Sequence, residues 1–169
     1  VSKSITATAA ASLLAEGLLD PAAPVTDPLP ELTQTAWNGA TLQQVMDMTS
    51  GVKFDESDYF NRASDIGKMD VAAGWKPIPD GYEHEHWPAC IHDQIMTLTK
   101  READHGARFE YRSIETDILA HAMERVTGQR LPQIVSERLW QPLGAETEAC
   151  FTLDASGYAL SCGGFNASL

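Results

Sequence analysis

The 169 residues carry 24 acidic and 12 basic side chains, a formal charge of -12. That balance argues against a nucleic-acid partner, because phosphate binding needs clustered Lys and Arg. A hydrophobic fraction of 43% with 21% charged residues fits one globular domain or a large subdomain, and the longest apolar run, residues 5–15, is interrupted by Thr and Ser and is too short to span a bilayer.

The chain opens on "VSKSITATAAASLLAEGLLD", where Ile5, Ala9, Leu13 and Leu14 form a stripe of helical period. Gly17 and then Asp20-Pro21 stop it, so residues 1–20 are expected to form the first helix, with Lys3 almost at its start. "DPAAPVTDPLPEL" carries four prolines and reads as an extended surface connection. Thr41, with Gln44 three residues on, has the form of a capping box and opens a helix over 41–50 that ends at Gly51. Residues 54–108 show weak periodicity and read as a long, partly helical excursion, of a length that is often functional. Within it "CIHDQIMTLTK" predicts a short helix, and "RFEY" a brief extended piece follows. Residues 109–144 hold two further helices. Ser113 is the expected cap of the first, with Arg125 in its last turn and Gly128 at its stop, and Pro132 opens the second. After residue 145 "EACFTLD" and "GYALSCGG" read as two strands or a hairpin, so 145–169 begins a sheet. The expected class is mostly α, with the start of a sheet at the C-terminal end.

Several chemistries lack their motif: no G-x-S-x-G elbow, P-loop, G-x-G-x-x-G or H-E-x-x-H occurs. His84, His86, Cys90 and His92 could close on zinc if their loop folded back, but their spacing matches no standard template. They are read as a solvated or substrate-facing loop, with no metal and no cofactor. Cys90, Cys150 and Cys162 are odd in number and widely spaced, the pattern of free thiols in a reducing compartment. One literal S-x-x-K occurs, Ser50 to Lys53. That motif needs both residues on one helix face, and Gly51 stands where the helix should end. Ser50 is therefore read as a turn residue. Lys3 poses the same question in reverse. Ser2 and Ser4 are adjacent to it and point roughly 100° away on a helix. Its i−3 partner would immediately precede Val1.

Three stretches carry a family resemblance. "SKSITATAAASLLAEGLLDPAAPVTDPLPEL" resembles the active-site helix and following loop of the penicillin-recognising serine hydrolases, which include class C β-lactamases and related esterases. "ATLQQVMDMTSGVKF" resembles their next helix with its Thr-Ser-Gly turn. "FEYRSIETDILAHAMERVTGQRLPQIVSERLWQPLGAE" resembles the segment carrying their catalytic tyrosine. Within that superfamily the chain is most similar to 6-aminohexanoate-dimer hydrolases and their carboxylesterase relatives, through Tyr111-Arg112-Ser113 and Ala73-Gly74-Trp75. The resemblance implies the helical subdomain of an α+β β-lactamase/transpeptidase-like fold and a serine hydrolase that works through an acyl-enzyme on a small amide or ester.

It further implies that Lys3, Tyr111 and Ser113 are catalytic and that Tyr59, Asp70 and Trp75 meet substrate. The nucleophilic serine would then directly precede residue 1, and a third motif would follow Leu169. On that reading the 169 residues form an inactive central fragment. Class C β-lactamases carry Y-x-N where this chain has Ser113, which favours the amide and ester branch. A promiscuous carboxylesterase or β-lactamase, and a non-catalytic binding relative, are the alternatives. Each residue also has a plainer reading. Lys3 and Asp70 could be solvated charges, Tyr111 and Trp75 core aromatics, and Ser113 a helix cap.

Overall fold

The computed structural model describes residues 1–168. Among the described residues there are six α-helices, one of them central, and a two-stranded antiparallel ribbon near the C-terminal end. The helices are α1 (Ser2–Ala15), α2 (Leu42–Met46), α3 (Asp65–Ala72), α4 (Ile91–Thr97), α5 (Ser113–Thr127) and α6 (Leu131–Val135), and the strands are β1 (Cys150–Phe151) and β2 (Phe165–Asn166).

Helix α5 is the one the others pack on. Ten of its residues are buried, on all sides of the helix, and it touches α1, α2, α4 and α6. A helix apolar around most of its circumference must lie inside the fold. It ends as the sequence predicts: Gly128 takes the left-handed conformation at φ 68° and donates its N–H to the Glu124 carbonyl at 2.9 Å. Helix α1 buries a narrow face of Ser2, Thr6, Ala9, Ala10 and Leu13. Its small residues let it lie close against α5, while Ala7, Thr8 and Ala11 remain exposed.

The capping box of α2 forms as expected: Thr41 Oγ1 accepts from Gln44 N–H, and Gln44 Oε1 accepts from Thr41 N–H. The helix is shorter than 41–50, because Met48 adopts a left-handed φ of 54° and turns the chain away. Gly51 then makes a close crossing. Its carbonyl accepts the Glu102 N–H at 2.9 Å, its φ is +69°, and a Cβ there would stand 2.3 Å from the Ala103 carbonyl oxygen. This stapling holds residues 48–53 against 100–110.

Four further expectations change. The first helix ends at Ala15, before Gly17. The proline-rich segment is an anchored loop, not a surface connection, because Val25, Leu29 and Leu32 are buried in the core. "RFEY" forms no strand, and its ordered contact is the Glu110 N–H on the Met48 carbonyl at 3.0 Å. "GYALSCGG" is not the second strand. Asp154 winds it into a turn, accepting from the N–H groups of Ser156 and Tyr158, and the strand falls at Phe165–Asn166. The ribbon pairs Phe151 with Phe165, whose rings meet edge-on at 5.1 Å.

Gly51→Ala is expected to lower unfolding free energy by about 1 kcal/mol or more, from the positive φ and the backbone collision together. Urea denaturation measures it, and an unchanged midpoint would show that the crossing is not tight.

Candidate active site

The Tyr-Arg-Ser segment is fixed by its middle residue. Arg112 is fully buried, and its guanidinium reaches Glu102 at 2.6 Å, Glu110 at 2.7 Å and the Glu110 carbonyl at 3.1 Å. Removing the two half-exposed carboxylates would leave the Arg112 charge buried without compensation, which makes the cluster a rigid post. The adjacent arginine and burial act in opposite directions on Glu110, and the net effect holds its carboxyl below the usual range. With Arg112 pointing inward, Tyr111 points outward and is 49% exposed, while Ser113 is buried at the first position of α5.

Ser113 does not cap its own helix. Glu56 does: its carboxylate accepts both the Ser113 N–H and the Ser113 hydroxyl at 2.6 Å, placing a negative charge at the N-terminus of α5. The same carboxylate accepts the Tyr59 hydroxyl at 2.6 Å. Hydrogen bonding to Glu56, with burial and the carboxylate's charge, pushes the Tyr59 phenol well above its ordinary value. Glu56 thus ties the excursion to the Tyr-Arg-Ser segment. It stands in the acidic run "DESDYF", where nothing in the spacing marks it as Ser113's partner.

Lys3 arrives from the first turn of α1. Its amine lies 5.2 Å from the centre of the Tyr111 ring, a cation–π distance, and donates to the Cys162 carbonyl at 2.8 Å. Residues from three distant segments therefore meet: Lys3, Tyr111 and the turn at Cys162. A small recess of about 140 Å³ opens beside Lys3, lined by Ala7, Val45, Met46, Met48, Glu115 and Leu119. A larger cleft of about 440 Å³ runs past Tyr111 between Glu56, Asp55, Lys53, Glu102 and Glu110.

The predicted substrate residues line up less evenly. Tyr59 and Trp75 are 54% and 45% exposed, as residues able to meet a ligand must be. Trp75 lies over the Gly163 backbone so closely that a Cβ there would be 2.9 Å from its ring. Asp70 forms an ion pair with Lys76 at 2.5 Å, so a substrate cation would have to displace that lysine.

Ser50 is fully buried, and its hydroxyl donates to the Glu115 carboxylate. Trp37 donates to the other Glu115 oxygen at 3.1 Å. A hydroxyl so enclosed cannot reach a substrate, which agrees with its reading as a turn residue. Burial raises Glu115 to about 7 despite both donors. Among the described residues no three His, Cys, Asp or Glu side chains gather as a metal site. His84 and His86 are exposed, Cys90 precedes α4, and His92 packs edge-on to His121 at 6.0 Å. Among the described residues no helix is long and apolar enough to cross a membrane.

A buried helix carrying a Tyr-x-Ser segment, crossed by a first helix with lysine in its opening turn, defines a β-lactamase/transpeptidase-like fold. The same fold is present in a D-stereospecific amidohydrolase from Streptomyces sp., at a TM-score of 0.65 and 20% identity over 97% of this chain and 54% of that one. Residues 1–152 match the family model described as Beta-lactamase, and the chain belongs to that family. It is 38% identical over 165 residues to the 6-aminohexanoate-dimer hydrolase of Paenarthrobacter ureafaciens, covering 97% of this chain and 40% of that protein. It superposes at a TM-score of 0.85, with 28% identity, on a candidate 6-aminohexanoate-dimer hydrolase from Bacillus anthracis, over 98% of this chain and 42% of that one. The chain thus spans well under half the length of these two relatives.

Glu115 predicts a pH signature. An ordinary glutamate titrates near 4.5 and this one near 7, so the folded state binds the extra proton between those values. The contribution of Glu115 to stability is therefore full below about 4.5 and is lost as pH rises through about 7. His121, lowered to about 4 by burial, acts in the opposite sense up to about 6.5. The Glu115 part is read by difference: the stability of Glu115→Gln relative to the wild type should rise steadily from pH 4.5 to 7. Denaturation midpoints across that range measure it, and a constant difference would contradict the shift.

Proposed function

We propose that the protein of which this chain is part is a serine hydrolase that cleaves small amides or esters through an acyl-enzyme, with linear amino-terminated amides such as 6-aminohexanoate dimers as its preferred class. The observation that carries the reading is the Lys3 amine over the Tyr111 ring at 5.2 Å, from two segments far apart in sequence. Family membership supports it, as does the 38% identity to a 6-aminohexanoate-dimer hydrolase.

On this reading the nucleophile is a serine one helical turn before Lys3, directly preceding Val1 in the full-length protein. Residues 1–169 alone would then hold a proton-transfer pair without the atom it serves. The serine oxygen attacks the carbonyl carbon, and its proton passes to the Lys3–Tyr111 pair. Lys3 and Tyr111 together hold that proton and return it to the departing amine or alcohol. Water then attacks the acyl ester, giving up its proton to the same pair and releasing the acid and the free serine. Ser113 spends its hydroxyl hydrogen on Glu56, so it keeps lone pairs to accept a hydrogen bond from the lysine amine or the substrate.

Substrate choice follows from the walls. Asp55, Glu56, Glu102 and Glu110 line the cleft at Tyr111 with Lys53, and because Arg112 and Arg108 pair with Glu102 and Glu110, the negative field comes chiefly from Asp55 and Glu56. That field favours a substrate with a cationic end over one with a free carboxylate there. Asp70 would bind the ammonium after releasing Lys76, while Tyr59 and Trp75 would shield the acyl-enzyme from bulk water.

In the full-length protein Tyr111→Phe should slow acylation by roughly 10²- to 10⁴-fold. Ser50→Ala should leave kcat within about twofold while costing about 1–3 kcal/mol of stability through its lost bond to a buried carboxylate. Single-turnover kinetics on a chromogenic ester, a cephalosporin and a 6-aminohexanoate dimer measure both and rank the substrates. Loss of activity in folded Ser50→Ala with retention in Tyr111→Phe would reverse the assignment. Turnover of the cephalosporin alone would move the substrate class to β-lactams.

A further inference from the structure

The Lys3 amine is held by the Cys162 carbonyl, and that carbonyl must itself be held. Main-chain bonds tie 158–160 to 152–154, Asp154 N–H to the Tyr158 carbonyl and Leu160 N–H to the Thr152 carbonyl, both at 3.0 Å, and beyond Leu160 the turn at Ser161 and Cys162 is placed mainly by side chains. One residue supplies most of them. Asp117 lies on α5 one turn beyond Ser113 and is fully buried. Its Oδ1 accepts the Ser161 hydroxyl at 2.7 Å and the Ser161 N–H at 3.1 Å. The Tyr158 hydroxyl donates to the Asp117 main-chain carbonyl at 3.2 Å and lies 3.4 Å from Oδ1. From α1, the Thr6 hydroxyl closes on the Ser161 carbonyl at 3.4 Å. The next residue is Cys162, whose carbonyl meets Lys3.

The other oxygen, Asp117 Oδ2, is buried without an N–H or O–H donor among the described residues, and the weakly donating Cys162 thiol is the further group that bonds to the carboxylate. Burying a carboxylate so incompletely satisfied is costly, and an apolar side chain could fill the space without that cost. Asp117 is thus a poor choice for packing alone. We propose that Asp117 is a positioning residue for proton transfer: it grips the Ser161 turn, which presents the Cys162 carbonyl to the Lys3 amine, and it sets a fixed negative charge behind that amine. The inference rests on the reading of Lys3 as part of the proton-transfer pair.

The charged and titratable groups around Asp117 are Lys3 from α1 and Tyr158 and Cys162 from the C-terminal turn. Glu115 stands on its own helix, and His121, one turn on, stacks on Tyr158 at 4.1 Å. Tyr111 lies beside Lys3, and the Glu56 charge acts on Cys162. Burial raises Asp117 to about 6, with the Ser161 bonds and the lysine charge opposing. Above that pH the carboxylate carries its charge, which interacts with Lys3. Below it, the support is lost.

Asp117→Asn keeps an acceptor for Ser161 and removes the charge. In the full-length protein labelled with ¹³C-lysine, NMR at fixed pH should show the Lys3 ε-carbon signal displaced in Asp117→Asn, because the charge behind the amine is gone. On an ester substrate kcat should fall about tenfold or more with KM within twofold, and the acid limb of kcat/KM should move. An unmoved Lys3 signal overturns the proposal whether or not the protein hydrolyses anything. Absence of any wild-type hydrolysis sinks the functional reading instead, and leaves the NMR comparison to decide Asp117. If Asp117→Asn does not fold, Ser161→Ala keeps the charge and cuts one tie: kcat should fall severalfold at constant KM, and an unchanged kcat would overturn the proposal.

Discussion

The Lys3 amine, held between the Tyr111 ring and the Cys162 carbonyl, is the contact on which the arrangement depends. It draws the opening turn of α1, the N-terminus of α5 and the C-terminal turn to one point. Each of those segments is independently braced. Ser2 accepts the Phe165 N–H at 3.0 Å, Arg112 pins the tyrosine segment from behind, and Asp117 fixes the turn. A flexible lysine is thereby given one address. Pre-set geometry of this kind lowers the entropy that a proton-transfer step would otherwise have to lose.

The cost is visible in α5. Two carboxylates, Glu115 and Asp117, are buried on a helix that already serves as the core. Both are raised by burial, to about 7 and about 6, so both oppose folding at neutral pH. What they gain is position. Glu115 anchors Ser50 and Trp37 and so fixes the turn that carries Met48 and Gly51 against the 100–110 segment. Asp117 anchors the turn over Lys3. Polar groups in a core specify one arrangement when their partners are met, at the expense of stability.

Local features were legible in the sequence. The capping box at Thr41 and the stop at Gly128 each depend on neighbours a few residues away. Long-range partners were not. Ser113 has the type and place of a helix cap, yet its hydroxyl goes to Glu56, which a distant segment supplies. The buried spacing of Val25, Leu29 and Leu32 was masked by prolines that read as surface loop. "DASGY" carries the signature of a turn around Asp154, but the apolar residues after it suggested a strand. Asp117 sits three residues after Ile114, in the buried stripe of α5, and that position was the one available sign of its burial. The identities of Lys3 and Tyr111 as a pair came from family resemblance, since no spacing rule joins residues so far apart.

The most direct test of that pair is to trap the nucleophile it would serve. The full-length protein is treated with a fluorophosphonate, and the adduct is located by peptide mass spectrometry. The Lys3–Tyr111 pairing predicts one adduct, on a serine three residues before Lys3, forming far more slowly in Lys3→Ala. An adduct on Ser50 or Ser113, or a labelling rate indifferent to Lys3, would contradict it.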